Sequence, residues 1–322
     1  MICRICFNEK GNQIYVVKEM MFGYRDKFEY FLCSNCGCLQ IKEYPHNIEK
    51  YYPSNYYSFE KFQEKPDRYL IKYLRHKRAE YCLTGRSIIG KFIEKFKPKP
   101  LFFDLLRICN ANKDSTVLDV GCGSGHLLYG LHRIGFKHLT GIDPYITNDI
   151  KYQNSINVLK TNLKDLDQEF DLILLMDSLE HIPQQLETLK NIYRLLKIKK
   201  FVLINIPVIG YAWRHYGVNW VELDAPRHYY LHTIKSIKIL SEKTGFEITN
   251  IIYNSNEFQF VGSEQYKMDI PMFDKRSYFV NPSNQIFSDE QLKYFKDKSV
   301  ELNKNSDGDR VNICLRKKIS TL

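Results

Sequence analysis

The stretch Val117-Leu118-Asp119-Val120-Gly121-Cys122-Gly123-Ser124-Gly125-His126-Leu127-Leu128 constrains this chain more than any other. An apolar run ends in three alternate glycines and then resumes at helical spacing, as a buried strand does when it turns sharply and opens a helix. Glycines at such a turn leave backbone N–H groups and bare Cα positions facing a ligand. The spacing excludes two other ligand sites. A dinucleotide fingerprint needs G-x-G-x-x-G, and its third glycine would fall on His126. A phosphate loop needs a Gly-Lys-Ser/Thr ending, which this turn lacks.

From Ser115 onward, short apolar runs alternate with helical segments. Strands are expected at 116–120, 138–142, 156–160, 170–176 and 201–206. Strand and helix in series imply an α/β fold, a parallel sheet with helices on both faces. A loop rich in aromatics (207–232) precedes a helix over 233–244 that Gly245 caps, then a sixth strand from Phe246 to Ile252 and a seventh from Val311 to Arg316. Residues 253–310 form an insertion before that last strand, expected on the substrate side. Three regions follow: 1–45, a Cys-rich module; 46–114, a Tyr-rich linker and basic helices; and 115–322, the α/β domain.

The 322 residues, 44% of them apolar and 26% charged, suffice for one large core with a smaller attachment. No apolar run approaches the roughly 20 residues that span a bilayer. Met1-Ile2-Cys3-Arg4 opens without a charged-then-apolar leader, so a cytoplasmic location and reduced thiols are expected. The net charge of +10 is unevenly spread. Residues 65–99 hold 11 basic and 3 acidic side chains, a balance of +8. Between Asp67 and Phe96 the apolar residues recur at helical spacing with Lys and Arg between them, as in two basic amphipathic helices broken near Thr84-Gly85 and stopped by Pro98 and Pro100. Such a segment can be a solvated face, lie on an anionic membrane surface, or track a phosphate backbone.

Five of nine cysteines fall in the first 38 residues. Cys3-x-x-Cys6 and Cys33-x-x-Cys36 are two knuckles, each placing two thiolates on one turn, and together they complete the tetrahedral shell that structural Zn²⁺ favours. Cys38 is an alternative ligand, and buried apolar cysteines are the alternative reading of the whole set. A closed four-thiolate shell has no open position, which makes the metal structural.

The glycine stretch resembles the first motif of class I S-adenosylmethionine-dependent methyltransferases. Further segments agree: Gly141-Ile142-Asp143-Pro144 after the second strand, and Phe170 through Met176 followed by Asp177-Ser178-Leu179-Glu180-His181-Ile182-Pro183. The resemblance implies a Rossmann-like, mostly parallel seven-stranded sheet. It also implies that S-adenosyl-L-methionine lies against Gly121, Gly123 and Gly125, with Asp119 at its ammonium and Asp143 at its ribose. Asn162 maps near the adenine, where an amide can accept from the amino group, and Asp177 joins the cofactor set. With the Cys-rich module as a zinc ribbon, the chain resembles bacterial methyltransferases of nucleotide-linked sugars or surface glycans. Tyr56-Tyr57-Ser58, Trp220 with Asp224-Ala225-Pro226-Arg227-His228, and Asp307-Gly308-Asp309 favour that group. Sugar C-methyltransferases carry a further C-terminal domain, so transfer to oxygen or nitrogen is expected rather than to carbon. The same pairing of ribbon and catalytic core occurs in some RNA methyltransferases.

The acceptor, a sugar nucleotide or lipid-linked sugar, should approach over the carboxyl ends of the strands. A hydroxyl acceptor needs a base, and His228 and His181 belong to the loops there. His228 is the stronger candidate, amid Trp213, Trp220, Arg227, Tyr229 and Tyr230, a cluster suited to stacking and phosphate pairing. For His228 the alternative is a purely structural role, and for His181 it is pinning backbone or closing the cofactor pocket. Arg227 could hold a phosphate or pair with Glu222 or Asp224, and Ser263-Glu264-Gln265-Tyr266 is placed at the acceptor pocket by chain position alone. A non-catalytic scaffold would have no need of Asp119, the three glycines and Asp143 together.

Overall fold

A computed structural model describes residues 1–53, 57–59, 68–152 and 156–318. Tyr56 and Asp67 lie outside the described residues, as does the side chain of Tyr57. Three short strands come first: β1 (Gln13–Lys18), β2 (Lys27–Leu32) and β3 (Leu39–Ile41). Helices α1 (Tyr69–Thr84), α2 (Ile88–Phe96) and α3 (Leu101–Ile108) follow. Gly85, left-handed at φ 76°, ends α1, and the Ser87 side chain caps α2 by accepting from the Gly90 N–H.

The α/β domain then runs β4 (Thr116–Val120), α4 (His126–Arg133), β5 (His138–Ile142), β6 (Ile150–Lys151), β7 (Asn157–Leu159), β8 (Phe170–Met176), α5 (Gln185–Leu195) and β9 (Leu196–Pro207). After the aromatic loop, with its helix α6 (Tyr211–Tyr216) and strand β10 (Tyr230–Leu231), come α7 (Ile234–Lys243), β11 (Phe246–Tyr253), α8 (Phe258–Lys267), α9 (Asp289–Lys304) and β12 (Arg310–Lys317).

The main sheet has the order β11-β12-β9-β8-β4-β5-β7-β6. Strands β9, β8, β4, β5 and β7 are mutually parallel, while β12 inserts antiparallel between β9 and β11. This is the Rossmann-like arrangement expected, its seven strands joined by the two-residue β6. Central strands read as unbroken apolar runs because both faces are covered: Leu172 through Leu175 are fully buried.

The Cys-rich module is not an independent lobe. Its strands belong to a second sheet, β1-β2-β3-β10, whose last strand comes from the aromatic loop of the α/β domain. One continuous core links Cys3, Tyr30 and Leu39 to Trp220, Ile204 and Val208. Tyr30 donates its hydroxyl to the His228 carbonyl at 2.8 Å, and Thr233 Oγ1 donates to the Cys36 carbonyl at 2.6 Å.

Candidate active site

A cavity of about 1000 Å³ opens over the carboxyl ends of β4, β5 and β8, between the glycine loop and the loop after β9. The first wall is the glycine loop. Gly121, Gly123 and Gly125 all have positive φ, at 75°, 53° and 88°. A Cβ on Gly123 would run into the Ser58 carbonyl, which accepts from the Ser124 N–H at 2.9 Å, so the segment at residues 57–59 closes down on the loop. Asp143, just past β5, accepts from the Gly123 N–H (3.0 Å) and the Tyr145 N–H (2.8 Å). Burial raises its carboxyl above the usual range despite those two donors. Asp119 is also buried, and burial plus the Asp143 charge push it up to about 7. Two desolvated carboxylates beside a bare glycine turn suit a ligand that brings its own cation and hydroxyls. Asn162 and Asp177 both line this cavity. Asp177 sits in left-handed backbone at φ 54° and pairs with Arg310 at the rim.

The second wall carries Glu180, His181, Glu222, Asp224 and His228. The His181 and His228 rings meet edge to face at 4.7 Å. His228 Nδ1 lies 2.7 Å from the Glu222 carbonyl, a contact that requires an N–H, so the neutral ring carries its proton there and Nε2 is left as acceptor. That Nε2 is 3.6 Å from Asp224 Oδ2. Burial lowers the His228 pKa against the pull of Asp224, and burial with the His228 neighbour takes His181 down to about 3. Both rings are therefore neutral near pH 7. Burial pushes the Asp224 carboxyl up, but Arg227 and His228 outweigh it and the net shift is downward. Glu180, 1% exposed, has an Oε2 with no hydrogen-bond partner, and burial with the Asp177 charge holds its carboxyl well above the usual range. A Glu180 oxygen and one nitrogen from each of His181 and His228 lie within 4.8 Å of one another, a donor set that suits a divalent cation.

The profile of a family described as a methyltransferase domain matches residues 74–251. The chain belongs to this methyltransferase family. As a methyltransferase of the S-adenosylmethionine-dependent class, it is 28% identical over 176 residues to the ubiquinone biosynthesis O-methyltransferase of Rickettsia bellii, which spans 48% of this chain and 72% of that protein. It is 27% identical over 164 residues to the tRNA U34 carboxymethyltransferase of Aliarcobacter butzleri, covering 47% of this chain and 53% of the relative. Among solved structures, a methyltransferase from Archaeoglobus fulgidus superposes with a TM-score of 0.41 at 20% identity, over 71% of this chain and all of that one.

Several expectations for the acceptor side of the methyltransferase are corrected. Of the two roles open to Arg227 the salt bridge is the one present: it is buried and grips Asp224 through Nε (3.1 Å) and Nη2, so it positions the loop and does not face an acceptor phosphate. Trp213, Trp220 and Tyr230 pack into the core, where Trp220 Nε1 donates to Asp309 Oδ2 at 2.9 Å. Among the described residues, the Tyr and Phe rings that do reach the cavity are Tyr52, Phe59, Tyr145, Phe258 and Tyr266. Of Ser263-Glu264-Gln265-Tyr266 only Tyr266 lines it; Ser263 Oγ accepts from the Val221 N–H and Gln265 from the Tyr278 N–H. Glu180 stands in the sequence without a role, and Asp224 only as a partner for Arg227. Their signal is carboxylates beside two candidate bases, which becomes meaningful only when the two loops meet.

In the N-terminal module, Cys3, Cys6, Cys33 and Cys36 converge with all four sulfurs within 4.8 Å. The Cys3–Cys36 and Cys6–Cys33 sulfurs are 3.6 and 3.5 Å apart, near the edge of about 3.8 Å for a tetrahedron with Zn–S bonds of about 2.3 Å. Gln40 Nε2 donates to Cys3 Sγ at 2.9 Å. Cys38 lies apart from the quartet, 3.8 Å from His232 Nδ1.

Proposed function

We propose that the protein transfers a methyl group to a hydroxyl or amino group of a sugar nucleotide or lipid-linked surface-glycan precursor. The observation that carries this reading is the neutral His228 ring beside the ionised Asp224, facing the glycine loop across one cavity. S-adenosylmethionine supplies a methyl group on a sulfonium. The chain supplies the rest: Asp119, Asp143 and the glycine turn orient the cofactor, and the second wall handles the acceptor. His228 Nε2 takes the acceptor proton, Asp224 stabilises the imidazolium that results, and Arg227 holds Asp224 in place. Glu180, its carboxyl held well above the usual range by burial and its Oε2 unpartnered, is suited to hydrogen-bond an acceptor hydroxyl. The hydrogen-bonding wall and the concave cavity favour a small polyhydroxylated acceptor.

The Cys3, Cys6, Cys33 and Cys36 quartet would hold one structural zinc. Its part in the reaction is indirect, through the sheet that β10 shares with β3.

RNA is the second reading, favoured by the tRNA-modifying relatives and the basic helices α1 and α2. A transfer assay separates the two. Methyl-labelled S-adenosylmethionine is incubated with the protein and an extract from a host lacking the gene, then fractionated into nucleic acid, sugar nucleotide and lipid-linked sugar. Label in the sugar or lipid fraction is expected. Label confined to nuclease-sensitive material would overturn the glycan reading.

A further inference from the structure

We infer that the α1–α2 hairpin is a docking surface for an anionic lipid bilayer. An amphipathic helix of a globular domain normally turns its apolar stripe inward. Here α2 does the reverse. Gly90 sits against α1, where a Cβ would collide with the Lys77 carbonyl, and this close approach fixes which side of α2 faces the protein. The opposite side carries Ile88, Phe92 and Phe96 at i, i+4 and i+8, exposed by 87%, 62% and 75%. The two phenylalanine rings touch at 5.2 Å and form one continuous apolar ridge. The first turn of α1 separately exposes Tyr69, Leu70 and Ile71. Apolar side chains aligned this way on a water-facing ridge mark an interaction site.

Charge selects the partner. Residues 68–99 hold ten Lys and Arg against Glu80 and Glu94, a balance of +8. Both acids are already paired, Glu80 with Lys77 and Glu94 with Arg78. Lys91, Lys95 and Lys97 flank the ridge, so apolar rings that can enter an acyl boundary are bordered by ammonium groups at headgroup height. A second copy of the chain would bring +8 against +8. Duplex nucleic acid would satisfy the lysines and leave Ile88, Phe92 and Phe96 unmatched, and a single strand would stack bases on the two rings but leave Ile88 and the exposed Leu70 and Ile71 in water. An anionic membrane satisfies both features. The inference does not depend on which acceptor the cavity takes.

The test is co-sedimentation of the full-length protein with vesicles of phosphatidylcholine alone or mixed with phosphatidylglycerol. Binding to the anionic vesicles is expected, at least about tenfold weaker to neutral ones, and weaker again as salt rises. The double variant F92S/F96S should lose at least about tenfold of the binding while keeping wild-type affinity for S-adenosylhomocysteine, which shows that its fold is intact. Equal binding to both vesicle types, no binding to either, or a dimer in solution that F92S/F96S abolishes would each overturn the proposal. Binding to RNA instead of vesicles, unchanged in F92S/F96S, would do the same.

Discussion

With Asp119 proposed at the cofactor's ammonium, cofactor affinity depends on pH. An isolated aspartate titrates near 3.8; in the folded protein burial and Asp143 push Asp119 up to about 7. The charged form is thus disfavoured in the folded state, so this group costs stability progressively as pH rises from about 4 to about 7, and the cost is level above that. A cationic ligand group needs the ionised carboxylate. Affinity for S-adenosylhomocysteine should therefore rise about tenfold between pH 6 and pH 8, measured by titration calorimetry, because the ionised fraction rises by about that factor. Asp119→Asn should bind weakly and without this pH dependence; a flat wild-type profile would contradict the assignment. Gly123→Ala is a second test at this scale. The added methyl meets the Ser58 carbonyl in a backbone conformation that alanine rarely adopts, so the 57–59 segment must lift. Cofactor affinity should fall at least about tenfold, with global unfolding moved by only about 1–2 kcal/mol.

Among the elements, β10 ties the two halves of the molecule together. It is only Tyr230–Leu231, yet it completes the sheet of the Cys-rich module and follows His228 by two residues. The Tyr30 hydroxyl on the His228 carbonyl and the Thr233 hydroxyl on the Cys36 carbonyl brace the same loop. Metal analysis should find one zinc per chain, and the combined Cys33→Ser and Cys36→Ser variant should hold none. Because β3 and β10 share backbone bonds, that variant should lose methyl transfer by about tenfold or more while S-adenosylhomocysteine affinity stays within about threefold, since the glycine loop rests on β4 and β5. Zinc-free wild-type protein with full activity would refute the structural role. Tyr30→Phe isolates one brace: it leaves the His228 carbonyl unpaired and should cost about 1 kcal/mol in denaturant unfolding.

Across the whole molecule, what was legible in the sequence was local. Leu172 through Met176 of β8 stand out as an apolar run, and β4, β5 and β8 fall on the expected residues because each is a short, mostly apolar segment ended by Gly or Asp, too short for a helix. The glycine loop and the acids at Asp119 and Asp143 were legible for the same reason, a short motif whose spacing is its geometry. The acceptor wall was not. Trp220 and Asp309 lie 89 residues apart and meet in the core, which removes the tryptophan from the cavity. Arg227 pairs three residues back with Asp224, one of the partners its spacing allows, and only the fold decides between that pair and an acceptor phosphate. The joining of β10 to β3 is a long-range pairing of two short segments, with too little periodicity to announce itself. The insertion likewise contributes α8, whose face toward the cavity is Phe258 and Tyr266 rather than its polar residues. We propose the cavity between these walls as the cofactor and acceptor site. Its most direct test is calorimetric titration of S-adenosylhomocysteine into wild-type protein and Asp119→Ala at pH 8, with circular dichroism on both. One molecule bound per chain, lost by about a hundredfold in a variant of unchanged fold, is the predicted result. Undiminished binding by Asp119→Ala would place the cofactor elsewhere.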